Sequence, residues 1–173
     1  MLTLVALGAV AHANVQDTYP PIVTEKNLYA ATDFRGKPAP EFVVGQWLSE
    51  KPEMKGKILF IDFWATWCGP CKALIPKLND WHAKYGKEVV FIGLSDEPAE
   101  TVTKFQATTK MTYPQAIDPE RRMHKALGVK GIPHVMIVTP DGVVRWQGFP
   151  GSAEDPLTEE KLKQIIAASK VAR

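Results

Sequence analysis

The chain has 173 residues, enough to bury one real core and suited to one domain with some decoration. Hydrophobic residues make up 45% and charged residues 23%, and the net charge is only +2 with no Lys/Arg block, which argues against a nucleic-acid partner. Two cysteines cannot form a disulfide scaffold, so the fold must hold without one.

Residues 2–10 form a short apolar run, followed by Ala11-His12-Ala13. That small-x-small triplet has the form of a signal-peptidase site, with cleavage expected after Ala13 and export to the periplasm or beyond. The run is too short to cross a bilayer as a helix, which needs about 20 residues. No stable membrane insertion is therefore expected after cleavage. Residues 14–40 are polar and broken by Tyr19-Pro20-Pro21 and by Gly36-Lys37-Pro38-Ala39-Pro40, and they read as an extended leader. The domain proper is expected over 41–173.

Residues 41–48, β-branched and aromatic, predict a strand. A charged loop follows. Residues 57–64 are almost continuously apolar, as in a central strand covered on both faces, with Asp62 the exception. A helix is expected over 68–85, with Leu74, Leu78, Trp81 and Tyr85 on its inner face and Gly86 ending it. Residues 89–94 predict a second buried strand, parallel to the first across a βαβ unit. Helices are expected over 99–109 (Val102 and Phe105 inward) and 119–127. Residues 134–139 and 143–147 predict a hairpin turning at Pro140-Asp141-Gly142. Asp155-Pro156 should open a last helix with Leu162, Ile165 and Ile166 inward.

Cys68 and Cys71, separated by Gly69 and Pro70, sit where the strand turns into the helix. A sulfur at a helix N-terminus feels the positive end of the dipole, which favours thiolate over thiol. That predicts dithiol–disulfide chemistry. The competing reading is half a zinc site, but His12, His82, His124 and His134 offer no closely spaced partner pair. Such a small loop is also a poor structural staple.

Asp62-Phe63-Trp64, Trp67-Cys68-Gly69-Pro70-Cys71-Lys72, Pro76 and Gly131-Ile132-Pro133 ahead of a hairpin resemble thioredoxin. The leader at 36–40, a helix-sized insertion at 99–118 and the Thr139-Pro140-Asp141-Gly142 turn resemble the exported TlpA/ResA/CcmG branch. The resemblance implies an α/β thioredoxin fold: a central mixed sheet flanked by helices, with an N-terminal strand extension and a helical insertion. It implies a thiol–disulfide oxidoreductase without a cofactor or metal, acting on protein thiols, with apocytochrome c among the candidate substrates and a membrane electron donor. Cys68 would be the exposed attacking thiolate and Cys71 the buried resolver. Gly69 and Pro70 imply a reductant. Asp62, six residues before Cys68, would be a buried acid of raised pKa that takes the proton of Cys71; a structural, hydrogen-bonded Asp is the alternative. Thioredoxin proper places a Lys on the next strand against this acid, and 89–94 holds none.

Glu97, chosen over Asp96, would be a second site acid or else a loop residue or helix cap. Pro133 would follow a cis peptide, leaving the Ile132 backbone to pair with substrate. Trp67, Gly69, Pro70, Ile132 and Pro133 would contact substrate. His134 departs from the usual Thr and is read as a strand residue at the site's edge. A peroxiredoxin-like peroxidase is one rival, but its Thr-x-x-Cys motif is absent because Thr66 lies two residues before Cys68. A copper- or other metal-binding module using Cys68, Cys71 and His134 is the other.

Overall fold

The structure is a computed structural model describing residues 19–171; the expected signal sequence and its cleavage site lie outside the described residues. The elements run β1 (Gln46–Trp47), β2 (Ile58–Trp64), α1 (Gly69–Tyr85), β3 (Val89–Ser95), α2 (Ala99–Gln106), β4 (Gln115–Ile117), α3 (Arg122–Leu127), β5 (His134–Val138), β6 (Val144–Gly148) and α4 (Glu159–Val171). The six described strands form one mixed sheet in the order β1-β4-β3-β2-β5-β6. β2, β3 and β4 are parallel neighbours; β5, β6 and β1 pair antiparallel.

The apolar runs become central strands because both faces of the sheet are covered. Phe60, Phe91, Val135, Leu78, Trp81, Leu162 and Ile165 pack on the face that carries α1 and α4. Ile61, Phe63, Ile92, Met136, Met123 and Leu127 pack on the other, which carries α3. Burying each such side chain contributes about 1.5–3 kcal/mol.

Five sequence expectations are corrected. The strand expected over 41–48 shrinks to Gln46–Trp47, because pairing starts only where Gly45 N–H reaches Ile117 O, and β4 is three residues long. β4 itself lies inside the stretch read as a helical insertion, hidden by its shortness between Pro114 and Asp118. The helix expected from 119 starts at Arg122, with the Asp118 carboxylate accepting from Met123 N–H at 3.1 Å. The last helix starts at Glu159 behind Thr158, whose Oγ1 accepts from Lys161 N–H at 3.2 Å. The buried face of α1 is Cys71, Ile75, Leu78 and Trp81; Leu74 and Tyr85 flank it, half-buried.

Leader residues 19–40 lie along the domain. Ala30 bridges Val129, and Pro38 bridges Val143. Lys26 is their anchor: its Nζ lies 2.5 Å from Asp155 Oδ2 and 3.7 Å above the Trp146 ring, with both charged side chains buried. Removing Lys26 leaves the buried Asp155 carboxylate with Lys161 alone, so the charge is only partly compensated. Lys26→Met should therefore lower unfolding free energy by about 2 kcal/mol, less than the cost of a fully stranded charge, read by urea titration. An unchanged midpoint would show that the leader is not held there.

Candidate functional site

Strand β2 delivers Ala65, Thr66 and Trp67 to the start of α1. Cys68 is the N-cap residue, in extended conformation, and its Sγ accepts from Cys71 N–H at 3.2 Å. Pro70 fits the first turn, where no N–H is needed. Cys68 and Cys71 are joined as a disulfide, Cα–Cα 5.3 Å. The sulfur that a thiolate would occupy is thus already a helix-capping acceptor. One expectation is corrected: in this oxidised form Cys68 is only 3% exposed, scarcely more than Cys71 at 1%. Trp64, Ala65 and Ile132 pack around the pair, while Trp67 beside it is 71% exposed.

Asp62 faces the α1 side of the sheet and is 2% exposed. Its register partners are Gly93 and Val135, so no cation faces it from the flanking strands. Burial alone raises its carboxyl from 3.8 to about 7. Its Oδ1 has no hydrogen-bond partner among the described residues.

The two adjacent acids separate cleanly. Glu97 braces the turn before Cys68, accepting from Thr66 N–H at 2.6 Å, Thr66 Oγ1 at 2.8 Å and Ser95 Oγ at 3.2 Å. Asp96 turns away to Arg121 Nε at 3.0 Å. In Glu97→Gln one oxygen becomes a donor facing the Thr66 donors. A loss of about 2 kcal/mol in urea-unfolding stability is expected.

The Ile132–Pro133 peptide is cis. An apolar pocket of ≈ 310 Å³ runs from it across Pro70 and Gly131 to Tyr29 and Phe149. Sequence reasoning missed the last two. Their rings meet edge to face at 6.3 Å, although they stand 120 positions apart in the chain. Tyr29 sits at φ 51, held by its N–H to Asn27 Oδ1 and its carbonyl from Lys130 N–H. No local signal marks either residue, because the wall exists only once the leader is docked.

His134 is fully buried, and burial lowers its pKa to about 4. It pairs in register with Phe63 and lies beside Gln147, on the face opposite Asp62. It does not converge with the cysteines, which removes the geometry of the Cys68–Cys71–His134 metal module. Among the described residues no group of three or more His, Cys, Asp or Glu side chains could hold a metal ion.

A disulfide that caps the helix after a central strand, with a cis-proline loop following it in the chain, defines a thioredoxin-like thiol–disulfide oxidoreductase. Residues 31–147 match the AhpC/TSA family, and the chain belongs to it. Within that family it is of the TlpA/ResA/CcmG type. It is 35% identical over 136 residues to the thiol-disulfide oxidoreductase ResA of Bacillus thuringiensis subsp. konkukian, covering 75% of this chain and 78% of the relative. The ResA of Geobacillus thermodenitrificans is 30% identical and is matched over 98% of this chain and 91% of its own length. Among solved structures, a putative thiol:disulfide interchange protein DsbE from Chlorobium tepidum superposes with a TM-score of 0.62 at 27% identity, over 78% of this chain and 97% of that one.

Proposed function

We propose that the chain reduces disulfides of other proteins outside the cytoplasm, and that the helix-capping Cys68–Cys71 pair carries the reaction. The Cys68 thiolate attacks a substrate disulfide, forms a mixed disulfide and releases one substrate thiolate. The Cys71 thiolate then attacks Cys68 Sγ and releases the second, leaving the enzyme oxidised. Asp62 takes the proton of Cys71; a carboxyl poised near 7 is matched to that task at neutral pH. Glu97 fixes the Thr66–Trp67 turn and so the direction of Cys68. Trp67, Gly69, Pro70, Ile132 and Pro133 contact the substrate segment, the Ile132 backbone pairing with it.

The apolar run and Ala11-His12-Ala13 support export, where protein disulfides persist. Among the described residues no helix is long and apolar enough to cross a membrane. The resemblance supports cytochrome c maturation or a related thiol pathway, fed by a membrane electron donor. Reduced protein mixed with a disulfide-bonded protein substrate should transfer one pair of electrons per Cys68–Cys71 pair. No transfer, or faster consumption of hydrogen peroxide than of the disulfide, would replace this reading with the peroxidase one.

A further inference from the structure

Two hollows meet at the cis-proline loop. One is the apolar pocket of ≈ 310 Å³ that Tyr29 and Phe149 close. The other is smaller, ≈ 140 Å³, and shares only Gly131 and Ile132 with the first. Trp67, the exposed residue before Cys68, forms part of its wall, so it opens beside the disulfide.

The rest of that wall is largely ionisable. Asp96 follows β3, Arg121 precedes α3, His124 lies on α3 and Lys130 precedes the loop, and all four line the hollow. Burial pushes His124 below its usual 6.5, so its ring is uncharged at neutral pH. The charges are then two cations and one anion. Asp96 Oδ2 lies 3.0 Å from Arg121 Nε, while the Nη groups of Arg121 have no partner among the described residues. Lys130 is exposed, and its Nζ has none either. A guanidinium engaged at Nε still offers the four N–H donors of its Nη groups. The hollow therefore carries one uncompensated positive charge and unused donors next to the redox pair.

The backbone holds both cations at this wall. Arg121 sits at φ 59, in the left-handed region that strains a residue with a Cβ, and its N–H donates to Asp118 O at 2.8 Å. Lys130 N–H donates to Tyr29 O at 2.7 Å, which ties the approach to the loop to the docked leader. An extended segment lying on the Ile132 backbone sends successive side chains to opposite sides. One of the hollows that flank Ile132 is apolar, and the other is cationic.

We propose that the smaller hollow is a carboxylate subsite, which receives a glutamate or aspartate side chain lying within two residues of the substrate cysteine and holds it against the Arg121 guanidinium and the Lys130 ammonium. This rests on exchange between the Cys68–Cys71 pair and a protein segment seated on Ile132. The volume suits one short polar side chain rather than a ring. Partly exposed charges of this kind select among substrates more than they add affinity. Asp96 opposes the subsite, because its carboxylate repels the incoming one.

The test uses disulfide-linked dimers of short peptides with blocked ends, so that either sulfur is the same target. Each peptide carries one glutamate, one or two residues before or after its cysteine, in an otherwise uncharged segment, and has a glutamine twin. Reduction rates with the reduced protein are divided by those with dithiothreitol, which removes differences in intrinsic reactivity. At one or more positions the glutamate peptide should react about three- to fivefold faster than its twin, the worth of a partly exposed ion pair. The double variant Arg121→Gln, Lys130→Gln should bring that ratio to about one. Asp96→Asn should raise it, because the repelling carboxylate is gone and the cations remain. Ratios taken within one variant cancel damage to the disulfide site. A ratio of one at every position in the parent, a ratio that persists in the double variant, or an Asp96→Asn ratio that does not rise overturns the subsite. The exchange reading is judged separately: a parent protein that reduces none of the peptides, whatever their charge, removes it.

Discussion

A Cys71→Ala variant is expected to hold its substrate protein as a covalent mixed disulfide through Cys68, with turnover at the uncatalysed level. The reason is the division of labour at the helix start. Cys68 caps the helix, where a thiolate is favoured, and Cys71 lies one turn inside; in the proposed mechanism the first attacks and the second resolves. Without the resolver, the first exchange completes and the second has no nucleophile. Non-reducing gels of an extract should show a higher-mass adduct that collapses with dithiothreitol. Cys68→Ala should show none, even with Cys71 intact. An adduct that survives Cys68→Ala would move the nucleophile to Cys71 and reverse the mechanism. The captured protein would also identify the pathway.

Asp62→Asn is expected to stabilise the oxidised protein above pH 7 and to change little below pH 4. The folded-state carboxyl, raised to about 7, keeps its proton where the unfolded chain, near 3.8, has released it. The folded state therefore binds more protons between these values, and stability falls as pH rises through that window. Moving one carboxyl from 3.8 to about 7 is worth about 4 kcal/mol at roughly 1.4 kcal/mol per unit, all of it lost above pH 7. Asn does not ionise and escapes the loss. Urea unfolding at pH 4, 6 and 8 should show the gap between variant and parent opening with pH. Parallel curves would mean that Asp62 is ionised, and paired, at neutral pH. In the proposed mechanism the same site supplies a base near neutrality, and a functional position commonly costs stability in this way.

Legibility differed by the range over which the information acts. The run Ile58–Trp64 and the Cys-Gly-Pro-Cys turn were plain, because period and turn chemistry are local. The hairpin from His134 to Gly148 was plain for the same reason. β4 was not: three residues between Pro114 and Asp118 carry no periodicity, and they extend only because β3 and β1 pair with them. Asp155-Pro156 looked like a helix start, but the Asp155 carboxylate is taken by Lys26 and Lys161. Thr158 caps instead. Spacing favours Glu97 over Asp96 but does not say what either carboxylate meets; packing sends Asp96 to Arg121 and Glu97 to Thr66.

The sequence by itself determined the chemistry: two cysteines two residues apart at a strand–helix junction are poised for disulfide exchange wherever that junction folds. It also offered Asp62, six residues upstream, as a candidate site acid. Only the tertiary structure decided that this acid faces a glycine rather than a cation, and so sits near 7 instead of ionised. It also placed His134 on the far face, and Tyr29 and Phe149 across the mouth. Each of these depends on strand register or on contacts between segments distant in the chain. A one-residue change of register would move strand side chains such as Asp62 and His134 to the other face, and no local pattern records it.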